Sequence, residues 1–263
     1  MRIGLITRGA YNRASITVLK ELEKRHIPVS AIILVKRKQG QNPLNSLKLQ
    51  LKTEGLGIFR KIMVKLGLIK ENKTKEIPKG KNEIPEQERI SIYEWAVKNN
   101  VPVYPVNYLN TNKCANLIKD LKIDILIVFS VGIVKEIILN IPNLKVVNAH
   151  AGFLPKYRGM NVIEWACLNN DETIGTIHFM DRGIDTGDIL YQKPFSLEGC
   201  KSIEEIRQRG FDFVFRLMAE CVEKLLNNEI RPTPQNPAEG KTWYIMHEKL
   251  KRILEEKLKN KTR

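Results

Sequence analysis

The chain has 263 residues, 43% hydrophobic and 28% charged, with a net charge of +15, a balance that fits a globular protein with a full core and excludes pervasive disorder. No stretch approaches the ~18 uninterrupted apolar residues of a membrane span, and the apolar run in the opening MRIGLITRGAY is too short for a signal peptide, so it reads as the first strand of a soluble, cytoplasmic protein with no membrane partner. The four cysteines, Cys114, Cys167, Cys200 and Cys221, are widely scattered with no metal-binding spacing, which points to buried thiols and away from a zinc site.

Arg2 to Ile6, a polar turn and the apolar-periodic Ile16 to Leu22 read as strand then helix, and Val29 to Val35 as a second strand, a βαβ opening. A basic stretch with Gly, Asn and Pro then interrupts the pattern at about 36–88, and within it Leu56 to Leu66 has the spacing of a short amphipathic helix. As an insertion it is either a cover facing substrate or a surface excursion. The alternation resumes with a helix from Ile90 to about Asn99, a strand Val101 to Val106, a helix Asn112 to Leu121 and the apolar run Ile123 to Phe129. Continuous apolar strands between helices predict an α/β fold, an open and mostly parallel twisted sheet with helices on both faces. Val146 to Ala149, Ile174 to Met180 and Ile189 to Phe195 are further strands. Ser202 and Glu205 predict a capping box opening a long helix, with Ile206, Val214, Leu217, Cys221 and Leu225 on one face. Residues 1–231 read as one domain carrying the insertion, and 232–263 as a short tail with a Lys-rich helix candidate and no separate barrel.

The first strand is followed by neither GxGxxG nor a phosphate loop; Thr7-Arg8-Gly9-Ala10 offers one turn glycine, which removes the main support for dinucleotide or nucleoside-triphosphate chemistry. His150 and His178 lack an HExxH context, so no metal is expected. The excess positive charge fits a polyanionic partner such as tRNA, a phosphorylated substrate drawn in by steering, or a Lys- and Asn-rich drift of composition.

Polar residues concentrate in two segments, Asn148 to Gly159 and Met180 to Leu190, each starting where an apolar strand ends, the place where open α/β sheets build sites. Asn148 and His150, two apart in an extended chain, project to one side. Either Asp181 or Asp185 would lie against the imidazole and hold it protonated, giving a donor pair suited to a developing oxyanion. The plainer reading is a strand-end histidine satisfied by a carboxylate or carbonyl.

The two segments resemble the signature of the folate-dependent formyltransferases, the group that includes methionyl-tRNA, glycinamide ribonucleotide and amino-sugar formyltransferases. The matching residues are Asn148, His150, Leu154, Pro155, Arg158 and Gly159, then Gly175, Met180, Asp181, Gly183, Asp185, Thr186, Gly187 and Asp188, and the similarity runs from about Ile123 to Phe195. The resemblance implies a Rossmann-like formyltransferase fold and 10-formyl-tetrahydrofolate as co-substrate, with Asn148, His150 and Asp185 as the catalytic set. It places the pterin against main-chain groups of Ser130, Val131, Gly132, Ile133 and Val134, and of Asp181, Arg182, Gly183 and Ile184. Gly183 and Gly187 would give the loop unusual backbone angles and close approach to the folate.

The acceptor expected is a small primary amine, with a nucleotide-linked amino sugar preferred. Arg8, Asn12 and Arg13 beside the first strand are candidates for its phosphates, and Arg158 either binds an anionic group or pairs with a loop carboxylate. The alternatives are tRNA, favoured by the charge, glycinamide ribonucleotide, water in a formyl-tetrahydrofolate hydrolase, and a polyanion-binding protein without catalysis.

Overall fold

The computed structural model describes residues 1–36 and 90–260, so the expected insertion and its helix at Leu56 to Leu66 lie outside the described residues, apart from Lys36. The described elements run β1 (Ile3–Arg8), α1 (Arg13–Lys24), β2 (Val29–Val35), α2 (Ile92–Lys98), β3 (Val103–Val106), α3 (Asn112–Asp120), β4 (Ile125–Phe129), α4 (Glu136–Leu139), β5 (Lys145–His150), β6 (Tyr157–Gly159), α5 (Val162–Leu168), β7 (Ile174–Phe179), β8 (Ile189–Pro194), α6 (Ile203–Leu226), β9 (Lys241–Trp243) and α7 (Glu248–Asn260).

Seven strands form one sheet in the order β3-β2-β1-β4-β5-β7-β8. Pairing is parallel from β3 to β5 and antiparallel at β5–β7 and β7–β8. The central strands are apolar throughout because both faces are covered. Leu5, Ile125, Ile127 and Phe129 pack toward α1, α2 and α6, whereas Ile6, Leu126 and Val128 pack toward α3 and α4. β1 has β2 on one side and β4 on the other, so the chain reverses its direction of winding there and the loops after β1 and β4 diverge, leaving a crevice of the kind such folds use for ligands.

The helices begin where side chains can satisfy their first amides. Asn12 caps α1 through Ser15 N (3.0 Å). Ser91 and Glu94 form a full capping box on α2, a signal visible in the sequence that the expected start at Ile90 overlooks. At α6 the expected box is only half formed: Ser202 Oγ accepts from Glu205 N (3.2 Å), but the Glu205 carboxylate takes Lys201 N (2.7 Å), one residue before the cap.

Residues 232–260 are bound into the fold. Thr233 bridges Ile189, β9 pairs in parallel with β6, and Leu254 and Leu258 of α7 are buried with Ile163 of α5 and Ile206 of α6. Cys114, Cys200 and Cys221 are buried, and burial pushes the Cys114 and Cys221 thiols up to about 11 and about 12, which keeps them protonated and unreactive. No described helix is long and apolar enough to cross a membrane.

Candidate active site

Asn148 and His150 lie on β5, on the same side of the strand, as their spacing predicts. β7 runs antiparallel beside it, placing His178 opposite Asn148 and Thr176 opposite His150. The sequence reading treated both polar segments as leaving strand ends at one rim, and here the structure differs. Phe179, at the end of β7, lies beside Val147, and the β7–β8 loop doubles back to bring Asp185 to the imidazole. At the turn Asp185 adopts φ 54, a left-handed conformation that non-glycine residues rarely hold without surrounding constraint.

The loop is shaped by its own side chains. Asp181 Oδ1 accepts from Gly183 N (3.0 Å) and Thr186 Oγ1 (2.6 Å), an Asx turn that fixes Asp181 within the loop. Of the two candidate carboxylates, Asp185 is therefore the one at the imidazole. Neither Gly183 nor Gly187 is among the described glycines with positive φ, which are Gly9, Gly132, Gly159 and Gly199. Gly187 is needed for space, because a Cβ there would stand 2.0 Å from the Phe179 carbonyl oxygen.

At the centre, Asp185 Oδ2 is 3.5 Å from His150 Nδ1, and Oδ1 is 3.6 Å from His178 Nε2. Both distances exceed a direct hydrogen bond, and the contact with His150 suits charge pairing. Gly159 N donates to Asp185 Oδ2 at 2.8 Å. His150 Nε2 lies 2.7 Å from the Tyr157 carbonyl, and since a carbonyl only accepts, Nε2 carries a proton and Nδ1 is the atom turned to Asp185. His178 is 1% exposed. Its Nδ1–H donates to the Phe179 carbonyl (2.7 Å), leaving Nε2 to accept from Asn148 Nδ2 (3.3 Å). Burial is the largest influence on His178 and lowers its pKa to about 4, with Asp185 acting in the opposite direction. At neutral pH it is thus an uncharged acceptor that turns the Asn148 amide nitrogen in a fixed direction. The sequence reading missed His178, whose signal was a histidine alternating with Thr176 in a strand running into the aspartate-rich loop. Among the described residues no His, Cys, Asp and Glu group is arranged to hold a metal ion.

The two expected pterin loops are rooted differently. In the first, Val131 and Val134 are buried in the core, while Ser130, Gly132 and Ile133 are exposed. Ser130 has φ 56 and Gly132 φ 83. Asn110 staples this loop by donating to the Ile133 carbonyl (2.9 Å) and accepting from Lys135 N (2.7 Å). In the second, Asp181, Arg182, Gly183 and Ile184 are all exposed. An Arg182–Glu136 ion pair (3.1 Å) ties the second loop to the helix that follows the first.

Of the remaining candidates, Asn12, Arg13 and Arg158 have structural partners. Arg8 closes β1 opposite Val35 of β2. Asn12 is occupied as the cap of α1, and Arg13 makes a two-oxygen ion pair with Asp212 of α6 (2.9 and 2.7 Å). Arg158 is 5% exposed; instead of a loop carboxylate it meets Gln235, with Nε and Nη2 donating to Gln235 Oε1 at 3.1 and 2.9 Å.

A mostly parallel α/β sheet thus brings an amide, two imidazoles and a carboxylate together beside exposed loops. Residues 68–222, more than half of the chain, match the family described as Formyl transferase, and the chain belongs to that family. It is 31% identical over 154 residues to a methionyl-tRNA formyltransferase of Alkaliphilus oremlandii, covering 58% of this chain and 50% of that one. It is also 31% identical over 165 residues to that of Clostridium tetani, covering 62% and 53%. The chain thus spans about half the length of these relatives. Its fold is that of an N-formyltransferase from Helicobacter canadensis solved with folinic acid and dTDP-3-aminofucose (TM-score 0.55, 19% identity, 92% of this chain and 70% of that one). The fold is likewise that of a phosphoribosylglycinamide formyltransferase from Bacillus halodurans (TM-score 0.56, 18% identity, 87% and 97%).

Proposed function

We propose that this chain transfers a formyl group from 10-formyl-tetrahydrofolate to a primary amine, with Asn148, His150 and Asp185 as the catalytic set. The observation that carries the reading is the Asp185 carboxylate 3.5 Å from His150 Nδ1 while Nε2 is committed to a buried carbonyl. With one ring nitrogen fixed as a donor, protonation at Nδ1 makes the imidazolium, and the adjacent carboxylate stabilises that charge. Asn148 Nδ2, held by His178, keeps a second N–H. An N–H donor free to meet an oxygen that becomes negative is what formyl transfer requires, and the nearby imidazolium adds its positive charge. As the amine nitrogen bonds to the formyl carbon and the bond from that carbon to the folate nitrogen breaks, a proton leaves the amine and one is gained by the folate. Asp185 is the base in reach of that traffic. The pterin rests against main-chain groups of residues 130–134 and 181–184, where Asn110 fixes the Ile133 carbonyl by donating to one of its two lone pairs. Family membership supports the chemistry, and the folinic acid named with the Helicobacter canadensis enzyme supports the folate.

Two acceptors follow from different observations. A nucleotide-linked amino sugar is our first reading, in keeping with the fold shared across 92% of this chain with the Helicobacter canadensis enzyme. Charged initiator tRNA is the second, favoured by the methionyl-tRNA formyltransferase relatives and the net charge of +15. A panel of nucleotide-linked amino sugars, glycinamide ribonucleotide, charged tRNA and water alone, each with 10-formyl-tetrahydrofolate, separates them by mass gain of one formyl group. A formylated sugar supports the first reading. A formylated tRNA with steeply salt-dependent binding replaces it with the second, and formate release without any formylated amine rejects both.

A further inference from the structure

We infer that Gln235, on the segment leading into β9, is a positioning residue that fixes the catalytic carboxylate from behind. Its kinetic consequence rests on the formyl-transfer reading above; its structural consequence does not. Gln235 Nε2 donates to the main-chain carbonyls of Asp185 (3.0 Å) and Gly187 (2.6 Å). Its Oε1 accepts from Nε and Nη2 of Arg158 (3.1 and 2.9 Å). Both amide protons and both oxygen lone pairs are therefore used, an arrangement open to a primary amide and closed to a carboxylate or an apolar chain. The buried Arg158 guanidinium polarises the amide and strengthens the two bonds on its far side.

The bonds close a circuit. Gly159, next to Arg158 on β6, donates to the Asp185 carboxylate (2.8 Å), so β6 holds the head of Asp185 directly and its backbone through Gln235. A closed circuit is what a non-glycine residue at φ 54 needs, because that conformation persists only where its surroundings over-determine it. Without Gln235, Asp185 keeps a single bond to β6 and can swing about its own backbone, moving the carboxylate relative to His150 Nδ1. No local pattern in the sequence marks Gln235, because its partners lie about fifty to eighty residues earlier in the chain.

The test uses the full chain with Gln235→Glu and Gln235→Met, read first by amide exchange at two neighbouring positions. Gly159 N reports the bond to Asp185, and Met160 N, which donates to the Trp243 carbonyl (2.9 Å), reports whether β9 stays docked. We expect exchange at Gly159 to rise about tenfold in both variants, as loss of one hydrogen bond allows, with Met160 unchanged. Acceleration of both amides together, or of neither, overturns the role. The kinetic arm expects kcat to fall about 10²-fold, the loss that a small misplacement of a reacting group brings, with KM for the folate unchanged. Introducing Gln235→Glu into Asp185→Asn should bring no further loss, and additive losses overturn the proposal. If the unaltered protein formylates no amine, the formyl-transfer reading fails, and the exchange experiment still decides the role of Gln235.

Discussion

Asp185 faces two imidazoles at nearly equal distance, 3.5 Å from His150 and 3.6 Å from His178, yet the two rings are set for different work. His150 has a buried carbonyl on Nε2 and the carboxylate at Nδ1. His178 is buried and lowered to about 4 against its usual 6.5. Because the folded value is the lower one, the unfolded chain takes up the proton first as pH falls. The stability contributed by neutral His178 is therefore complete above about 6.5 and is lost as pH drops toward 4, an effect on the order of 3 kcal/mol. Urea unfolding at pH 7 and pH 5 should show this loss in the wild type and a smaller one in His178→Gln; equal losses would remove the assignment. The convergence of Asn148, His150 and Asp185 was legible in the sequence because residue type, order and spacing carry that information. His178 was not, since its place opposite Asn148 depends on an antiparallel register that one strand read alone does not reveal.

The elements divide in the same way. Long apolar strands alternating with amphipathic helices were readable, because burial on both faces leaves a continuous pattern. β6 and β9 were not: each is three residues long, and they meet across more than eighty residues of chain. Yet this small pairing carries Arg158 and Gly159, which anchor the β7–β8 loop through Gln235 and directly, and Trp243 stacks on Tyr157 with ring centroids 5.3 Å apart. Gly159 has φ 96, and a Cβ there would stand 2.3 Å from the Trp243 carbonyl oxygen. Gly159→Ala should therefore cost about 1–3 kcal/mol from strain and overpacking and detach β9. Thermal unfolding together with protease cleavage between residues 232 and 247 measures both effects, and a variant as stable and as resistant as the wild type would contradict the pairing.

The described molecule behaves as one cooperative body on this view, with the C-terminal residues part of the core. Leu254 is fully buried among Ile163, Ile206 and Val214. Leu254→Ala should lower global stability by about 2–5 kcal/mol, as large-to-small changes in a packed core do, in one transition by circular dichroism and tryptophan fluorescence. Separate melting of α7, with the remainder unaffected, would show the helix to be an appendage.

The most direct measurement compares the wild type with Asp185→Asn in single-turnover reactions with 10-formyl-tetrahydrofolate and the preferred amine acceptor. The wild type should yield formylated amine and tetrahydrofolate in equal amounts. The variant, equally stable and equally able to bind folate, should be slower by about 10²–10⁴-fold, the range of a lost acid–base group. Near-equal rates in the two proteins would contradict the role of the carboxylate and the reaction built upon it.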